Sequence, residues 1–339
     1  MPRSNVSKLY ANLESAGLRQ GWRMPGGLRE RILVALSGGS DSMALLSLLR
    51  ERYEGEIAAA HLEHGFRGAA SVADADFVRA YCESIGISCY VKHADVPGSR
   101  RGGESAEMAG RRARYDFFCE VSQREGFTWI ATGHTADDVV ETMLLNLFRG
   151  TGYRGLSGIA GRRGKIVRPL IDCRREDLRA YLTERNIPWR EDETNATGDY
   201  RRNKIRNDLL PWVRRNLNES VDRVLLGLAH ESLEIADEGE AETGTLCDAL
   251  AIEAPDALAV WDLRRARVLS DRKRRAALRE QGRRLSLPVL DRKRAEELSR
   301  LIVRSGRWRF QWAGDVEVVA RSGFLYWIHR SNLEKLRLD

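Results

Sequence analysis

The stretch Arg31-Ile-Leu-Val-Ala-Leu-Ser-Gly-Gly-Ser-Asp-Ser42 decides how the rest of the chain is read. Ile32–Leu36 is a short apolar run, the length of a buried strand. Two glycines and three serines interrupt it. From Met43 apolar residues recur at helical spacing through Leu46 and Leu49, with Leu45 and Leu48 beside them. The pattern predicts a strand, a tight glycine loop and a helix. Such a loop aims several backbone N–H groups at one anion, and the helix start adds partial positive charge in the same place. Gly38 and Gly39 permit close backbone approach and positive φ. Ser37, Ser40 and Ser42 add hydroxyl donors. Asp41 sets a carboxylate where phosphates are expected, and since a bare carboxylate would repel them, it implies a bridging Mg2+ held by Asp41. The loop lacks the Gly-Lys-Ser/Thr ending of a Walker A motif and does not fit G-x-G-x-x-G.

Composition narrows the class. At 339 residues the chain is long enough for two domains. No run approaches the 18 or so apolar residues of a membrane span, and residues 1–18 lack the apolar centre of a signal peptide. The five cysteines, Cys82, Cys89, Cys119, Cys173 and Cys247, are odd in number and form no Cys-x-x-Cys pair. That spacing predicts reduced thiols in the cytoplasm and excludes a zinc ribbon or a disulfide framework. The net charge of +7 favours a polyanionic partner.

Along the chain, helices are expected at Val6–Ala16, Ser71–Ile85 (capped by Ser71), Glu104–Gln123, Ala136–Phe148 and Arg174–Arg185 (capped by Asp172). Strands are expected at Glu56–His64, Ile87–Lys92, Thr128–Thr132 and Ile166–Ile171, the last near an edge because of Pro169. Strands alternating with helices of 10–15 residues predict an α/β fold, a Rossmann-like parallel sheet. Ligands in such sheets sit beyond the carboxyl ends of the strands. Three segments fall there: Ser37–Ser42, His61–Arg67 and Gly133–Asp138.

Two helices carry candidate chemistry. Glu107, Arg111 and Arg114 share one face at spacings of four and three. A surface pair of that kind is ordinarily worth only a few tenths of a kcal/mol. His134, Asp137, Asp138 and Glu141 lie within two turns of a strand end. Three carboxylates and a histidine beside a phosphate loop suit holding Mg2+, orienting an amine or accepting its proton. Residues 149–159 are rich in glycine and arginine, as in a lid or a phosphate contact. Arg201, Arg202, Lys204 and Arg206, close to Tyr200 and Trp212, suit RNA backbone and base stacking. Beyond them a helical linker is expected over 214–243, then a smaller α+β unit over 244–339. That unit has one basic helix at Leu263–Gln281, another helix at Asp291–Ile302 and strands at Trp308–Trp312, Val316–Ala320 and Phe324–His329.

Ser37–Ser42 resembles the SGGxDS loop of ATP-pyrophosphatases, which adenylate a carbonyl oxygen and release pyrophosphate. Five further motifs follow it in order: His64-Gly-Phe-Arg67, Glu107-x-x-x-Arg111-x-x-Arg114-Tyr115, His134-x-x-Asp137-Asp138-x-x-Glu141-Thr142, Arg168-Pro-Leu170 and Arg202-Asn-x-Ile-Arg206. Together they resemble the tRNA(Ile)-lysidine synthases. The pattern departs from that family at Thr135, where a second histidine is common, and at Glu63, where aspartate is common.

The resemblance implies an adenine nucleotide alpha hydrolase-like fold with helices on both faces of the sheet. It implies that ATP adenylates C2–O of the wobble cytidine in the CAU anticodon of tRNA(Ile). The ε-amine of free L-lysine then displaces AMP to give lysidine, changing decoding from AUG to AUA. It implies catalytic roles for Asp41, His134, Asp137, Asp138 and Glu141. It places ATP on Ser37, Gly38, Gly39, Ser40, Asp41 and Ser42, Arg111 and Arg114 on the α-phosphate of ATP or on the lysine carboxylate, Mg2+ on Asp41, and lysine or tRNA on Glu107, Arg202, Asn203 and Arg206. Residues 1–213 would be catalytic and 244–339 would bind tRNA, in a monomer or homodimer. A thiolase of the same superfamily would need paired cysteines. A synthetase with a glutaminase would need an extra domain and an amino-terminal cysteine, which Met1-Pro2 excludes. An ATP-responsive RNA-binding module without catalysis has no use for the carboxylates at 137, 138 and 141.

Overall fold

The computed structural model describes residues 5–23, 30–63, 65, 69–96, 98, 100–191, 200–254 and 257–336. The expectations for His64, Phe66 and Arg67 lie outside them. The chain divides into two compact units, residues 1–233 and 234–339.

The first unit runs α1 (Asn5–Gln20), β1 (Arg31–Ala35), α2 (Ser40–Arg52), β2 (Glu56–Glu63), α3 (Ala69–Ser84), β3 (Cys89–His93), α4 (Ala106–Glu125), β4 (Trp129–Thr132) and α5 (Ala136–Arg149). It continues through α6 (Tyr153–Leu156), β5 (Arg162–Arg163), β6 (Ile166–Val167), α7 (Arg175–Glu184) and α8 (Tyr200–Lys204). A π-helical turn (Ile205–Leu209) and α9 (Leu210–Asn216) follow. The sheet order is β3-β2-β1-β4-β6-β5. Every pairing is parallel except that of the outermost strand, β5. Ile32, Leu33 and Val34 of β1 are fully buried because both sheet faces are covered. On one face Ile32 and Val34 share a core with Leu46 and Leu49 of α2, Val78 of α3 and Tyr181 of α7. On the other, Leu33 packs with Phe117, Phe118 and Val121 of α4.

Chain order reverses between β1 and β4, which pair directly, Ile32 with Trp129 through Ala35 with Thr132. Ligands collect at such a switch point, and the segments leaving β1 and β4 are the glycine loop and the His134 segment.

Two expected caps are not made. Ser71 lies inside α3, which starts at Ala69, and is buried. Asp172 does not cap α7, whose N-cap is Arg174 with no side-chain bond. Its carboxylate instead pairs with Arg19 and, at 3.1 Å, with His230. The expected strand Ile166–Ile171 shortens to β6, which lies near the edge as expected, beside the outermost strand β5. A third cap does form where the sequence did not point: Ser105 accepts from the Met108 N–H at the start of α4.

Through the expected linker runs α10 (Val221–Leu250), a single helix of 30 residues. The second unit then follows as β7 (Ala251–Ile252), β8 (Ala259–Asp262), α11 (Leu263–Val268), α12 (Asp271–Arg284), α13 (Arg292–Val303), β9 (Trp308–Ala313), β10 (Val316–Arg321) and β11 (Phe324–His329). Its sheet, β7-β8-β11-β10-β9, is antiparallel throughout. The single basic helix expected at Leu263–Gln281 is two helices. The break falls at Leu269-Ser270, where the Ser270 hydroxyl caps α12 by accepting from the Lys273 N–H. The core is indole-rich: Trp327 lies 4.6 Å from Trp261 and 6.4 Å from Trp312, ring centre to ring centre. All five cysteines are free thiols.

Gly282 of α12 tests that core. A Cβ there would stand 2.5 Å from Cζ2 of Trp312, a fully buried ring that cannot yield. Gly282→Ala gains about 1 kcal/mol of helix propensity but overpacks at a cost of about 1–3 kcal/mol. The expected outcome is a lower urea midpoint for the transition reported by tryptophan fluorescence, and an unchanged or higher midpoint would contradict the packing.

Candidate active site

The glycine loop is held by its own hydroxyls. Ser42 Oγ donates to the Gly39 carbonyl (3.0 Å) and accepts from the Ser37 N–H (3.1 Å). Ser37 Oγ lies 3.1 Å from Ser42 Oγ and accepts from the Gly39 N–H (3.3 Å). Gly38 adopts φ +88°, which a side chain would strain. Its carbonyl accepts from the Arg190 N–H at 2.9 Å. The first-turn N–H groups of α2 have no intrahelical acceptor by construction, so the loop presents donors to an anion. Gly133, at the end of β4, presses on this turn: a Cβ there would meet Ser42 N at 3.1 Å and Asp41 C at 3.2 Å.

Against the loop stands a carboxylate cluster. Thr135 caps α5, accepting from the Asp138 N–H, while Asp138 Oδ2 accepts from the Thr135 N–H at 2.9 Å. This capping box aims Asp138 and, one turn on, Glu141. Arg175 of α7 lies among the acids. Its Nε is 3.0 Å from Asp41 Oδ2, Nη2 3.1 Å from Asp138 Oδ1 and Nη1 3.6 Å from Glu141 Oε1. Its backbone N–H donates to Asp137 Oδ2 at 2.8 Å, so Asp137 caps α7 from another helix. Glu141, 1% exposed, is clamped through both oxygens by Arg206, at 2.6 and 2.8 Å. Arg202 donates to Thr142 Oγ1 at 2.8 Å.

The electrostatics split the acids. Burial pushes the Asp41 carboxyl up, and Asp138 and Asp137 add to it against the opposing pull of Arg175. Burial would raise Asp138 as well, but Arg175, His134, the Thr135 N–H and Arg206 outweigh it and hold the group below the usual carboxylate range. Burial alone would lower the Arg175 guanidinium, but Asp138, Asp41, Asp137 and Glu141 raise it, so it stays charged. His134 accepts from or donates to Thr132 Oγ1 at 2.9 Å. Burial depresses its pKa, Asp138 opposes, and Arg168, Arg111 and Arg202 depress it further. The imidazole is therefore neutral at pH 7.

Of the candidate residues, the structure gathers Asp41, Asp138 and Glu141 around the Arg175 guanidinium, sets Asp137 on the Arg175 backbone N–H, and brings Arg202 and Arg206 to Glu141. His134 and Arg111 stand within electrostatic reach of one another. Arg111 lies over the Tyr115 ring, 5.1 Å from its centre. Glu107 and Arg114 stand at the surface of α4, with Arg114 Nε on the Gly110 carbonyl of its own helix at 3.4 Å. Asn203 Nδ2 is buried without a partner. The sequence motifs do not single out Arg175. The available signal is electrostatic: Arg174-Arg175 opens a helix, where the dipole disfavours cations. A basic pair in that position needs carboxylates from elsewhere in the fold. Arg168, which the sequence shows in the Arg168-Pro-Leu170 motif, is 4% exposed, with Nη1 on the Ala160 carbonyl at 2.6 Å.

The PP-loop domain family matches residues 16–213 of the chain. A tRNA(Ile)-lysidine synthase of Clostridium acetobutylicum is 42% identical over 197 residues, covering 57% of this chain and 43% of the relative. One of Chlorobaculum tepidum is 44% identical over 188 residues, 54% of this chain and 57% of the relative. The match therefore spans about half the length of these relatives. Among solved structures, a U34-tRNA thiolase of Methanococcus maripaludis, determined with its [4Fe-4S] cluster, superposes with a TM-score of 0.54 at 18% identity. That superposition covers 68% of this chain and 80% of the thiolase, a likeness of fold.

The depressed pKa of His134 has a consequence for stability. Between its folded value and the unfolded value near 6.5, the unfolded chain binds more protons, so this group's contribution is complete above about pH 6.5 and is lost as pH falls. Thermal melts of wild type and His134→Gln at pH 7 and pH 5 should show the smaller acid-induced drop in the variant. Equal drops would refute the assignment.

Proposed function

The chain belongs to the PP-loop domain family, and on that footing we propose that it joins free L-lysine to C2 of the wobble cytidine in the CAU anticodon of tRNA(Ile). The observation that carries the reading is the tie between the two halves of the pocket: Arg175 bonds Asp41 beside the glycine loop and Asp138 on α5 at once. A phosphate-binding loop and a set of carboxylates thus face one reaction centre. The relatives named above supply the substrate.

The chemistry follows from the parts. ATP is the activating substrate, its phosphates on the first-turn N–H groups of α2. The C2 oxygen of cytidine attacks the α-phosphorus and pyrophosphate leaves, which converts a poor electrophile into one with AMP as leaving group. The ε-amine of lysine then attacks C2 and AMP departs. Lysine arrives as an ammonium, with an ordinary pKa near 10.4, so it needs anionic company and a proton acceptor. The α5 carboxylates Asp137, Asp138 and Glu141 supply that anionic company, with Asp138 held ionised. Arg111 and Arg168 set positive charge near His134, suited to the developing phosphate charge or the lysine carboxylate.

The donor set also fits Mg2+. Asp41 and Asp138 are hard oxygen donors on one guanidinium. Among the described residues no three His, Cys, Asp or Glu side chains are gathered to cage an ion alone. That suits a cation shared with phosphates. Asp41 and Asp138 would hold it, and it would neutralise phosphate charge.

The second unit is proposed to bind the tRNA. Residues 263–339 carry 21 Lys and Arg against nine Asp and Glu. Alternation along β9 buries Trp308, Phe310 and Trp312 and turns Arg309 outward, opposite Val319 of β10. Arg307, Arg309 and Arg321 line one cavity of about 220 Å3 floored by Val319 and Leu333.

Labelled lysine should enter unmodified tRNA(Ile) bearing CAU only with ATP, and not when the wobble C is replaced by U. Asp138→Asn should lower incorporation at least about a hundredfold while tRNA binding persists. Pyrophosphate release with another RNA, and none with this one, would reject the substrate. Replacing Arg307, Arg309 and Arg321 together by Ala should weaken tRNA binding and leave the KM for lysine unchanged. The log–log salt slope should become shallower by about 1 for each phosphate these arginines neutralise. An unaltered slope would remove this surface from the interface.

A further inference from the structure

We propose that Arg175 is a built-in counter-ion that lets Asp41, Asp138 and Glu141 share one pocket and competes there with a divalent cation, so that the pocket takes up metal only together with phosphate. The inference rests on reading the pocket as an ATP site, and is independent of which RNA is modified.

The geometry is that of a held cation. Each nitrogen of one guanidinium faces a different carboxylate: Asp41 at 3.0 Å, Asp138 at 3.1 Å and Glu141 at 3.6 Å. The side chain is 19% exposed, and its backbone is fixed by the bond from its N–H to Asp137. Asp138 and Glu141 are one turn apart on α5 and would repel without it. Arg206 neutralises Glu141 through both oxygens but reaches Asp138 only at 3.7 Å. Arg175 is therefore the group that spans α2 and α5.

The same oxygens are the hard donors a small divalent cation prefers. Asp41 Oδ2 and Asp138 Oδ1 cannot serve a guanidinium and a metal ion fully at once. A cation arriving with phosphates brings extra ligands and displaces the arginine contact, whereas a bare cation must compete with it. Arg175 is thus a positioning residue: it sets where the carboxylates point and when they accept metal.

The test is Mn2+ binding to the full-length chain without nucleotide, followed by calorimetry or water-proton relaxation. Wild type should bind weakly. Arg175→Met should bind at least about tenfold tighter, because removing this charge leaves Asp41 and Asp138 without their shared cation. Arg175→Lys keeps a cation but, as a point charge on a flexible stem, cannot face three carboxylates. It should tighten Mn2+ binding about threefold, and it remains the test if the methionine variant does not fold. Adding Asp41→Asn to either variant should abolish the gain. A folded variant that binds Mn2+ no more tightly than wild type overturns the proposal, and so does a gain that survives Asp41→Asn. A purely structural role predicts weaker binding in both variants. Failure of lysine incorporation with the expected Mn2+ pattern would fault the choice of RNA and leave Arg175 in this role.

Discussion

Everything in the first unit depends on β1 and β4 lying side by side in parallel register. The pairing of Ala35 with Thr132 ends both strands at one level, so the segments that leave them emerge together. The cost of that closeness is steric, and it is met at Gly133, where a Cβ would intrude on the Asp41–Ser42 backbone. Bringing the segments together also sets Asp41 against the acids of α5. Once the backbone has enforced that approach, charge has to be balanced, and the rest of the pocket follows from how it is done.

Balance comes from elements that follow in sequence. Arg175 stands at the start of α7 and Arg202 and Arg206 on α8 and the π-helical turn. These later segments therefore do more than extend the core: they neutralise carboxylates that the sheet has already gathered. Burying several ions without partners would cost several kcal/mol each, whereas a paired and hydrogen-bonded set is tolerated. The outcome is uneven acidity, with Asp41 pushed up and Asp138 held down. Such unlike neighbours are what a site needs when one acid must stay ionised beside another.

The sheet was legible because its signals are local. A run such as Ile32–Leu36 followed by a serine–glycine loop has few other ways to fold, and the residues after β4 could be placed at a strand end from periodicity alone. Caps were less legible. Ser71 and Asp172 are the right residue types in the right places, yet α3 begins earlier and Asp172 is taken by Arg19 and His230. The cap on α7 comes from Asp137, 38 positions earlier in the chain, which no local pattern encodes. Arg175 was hidden for the same reason. The break between α11 and α12 was visible in principle at Ser270, a good cap residue inside an otherwise helical basic run. The net charge of +7 is a total and says nothing of location.

Location matters for that charge. In the first unit, Arg175 and Arg206 are committed to carboxylates and Arg202 to Thr142 and Glu141. Guanidinium groups so engaged have little left to offer a polyanion, since each contact to phosphate would first have to break an internal pair. Several arginines of the second unit, by contrast, are held through backbone carbonyls. Arg267 donates to those of Ile302 and Arg304, and Arg294 to those of Gln311 and Trp312. A carbonyl partner fixes the side chain without cancelling its charge. Arg175 and Arg206 thus build a pocket by neutralising its acids, whereas Arg267 and Arg294 are ordered with their charge intact.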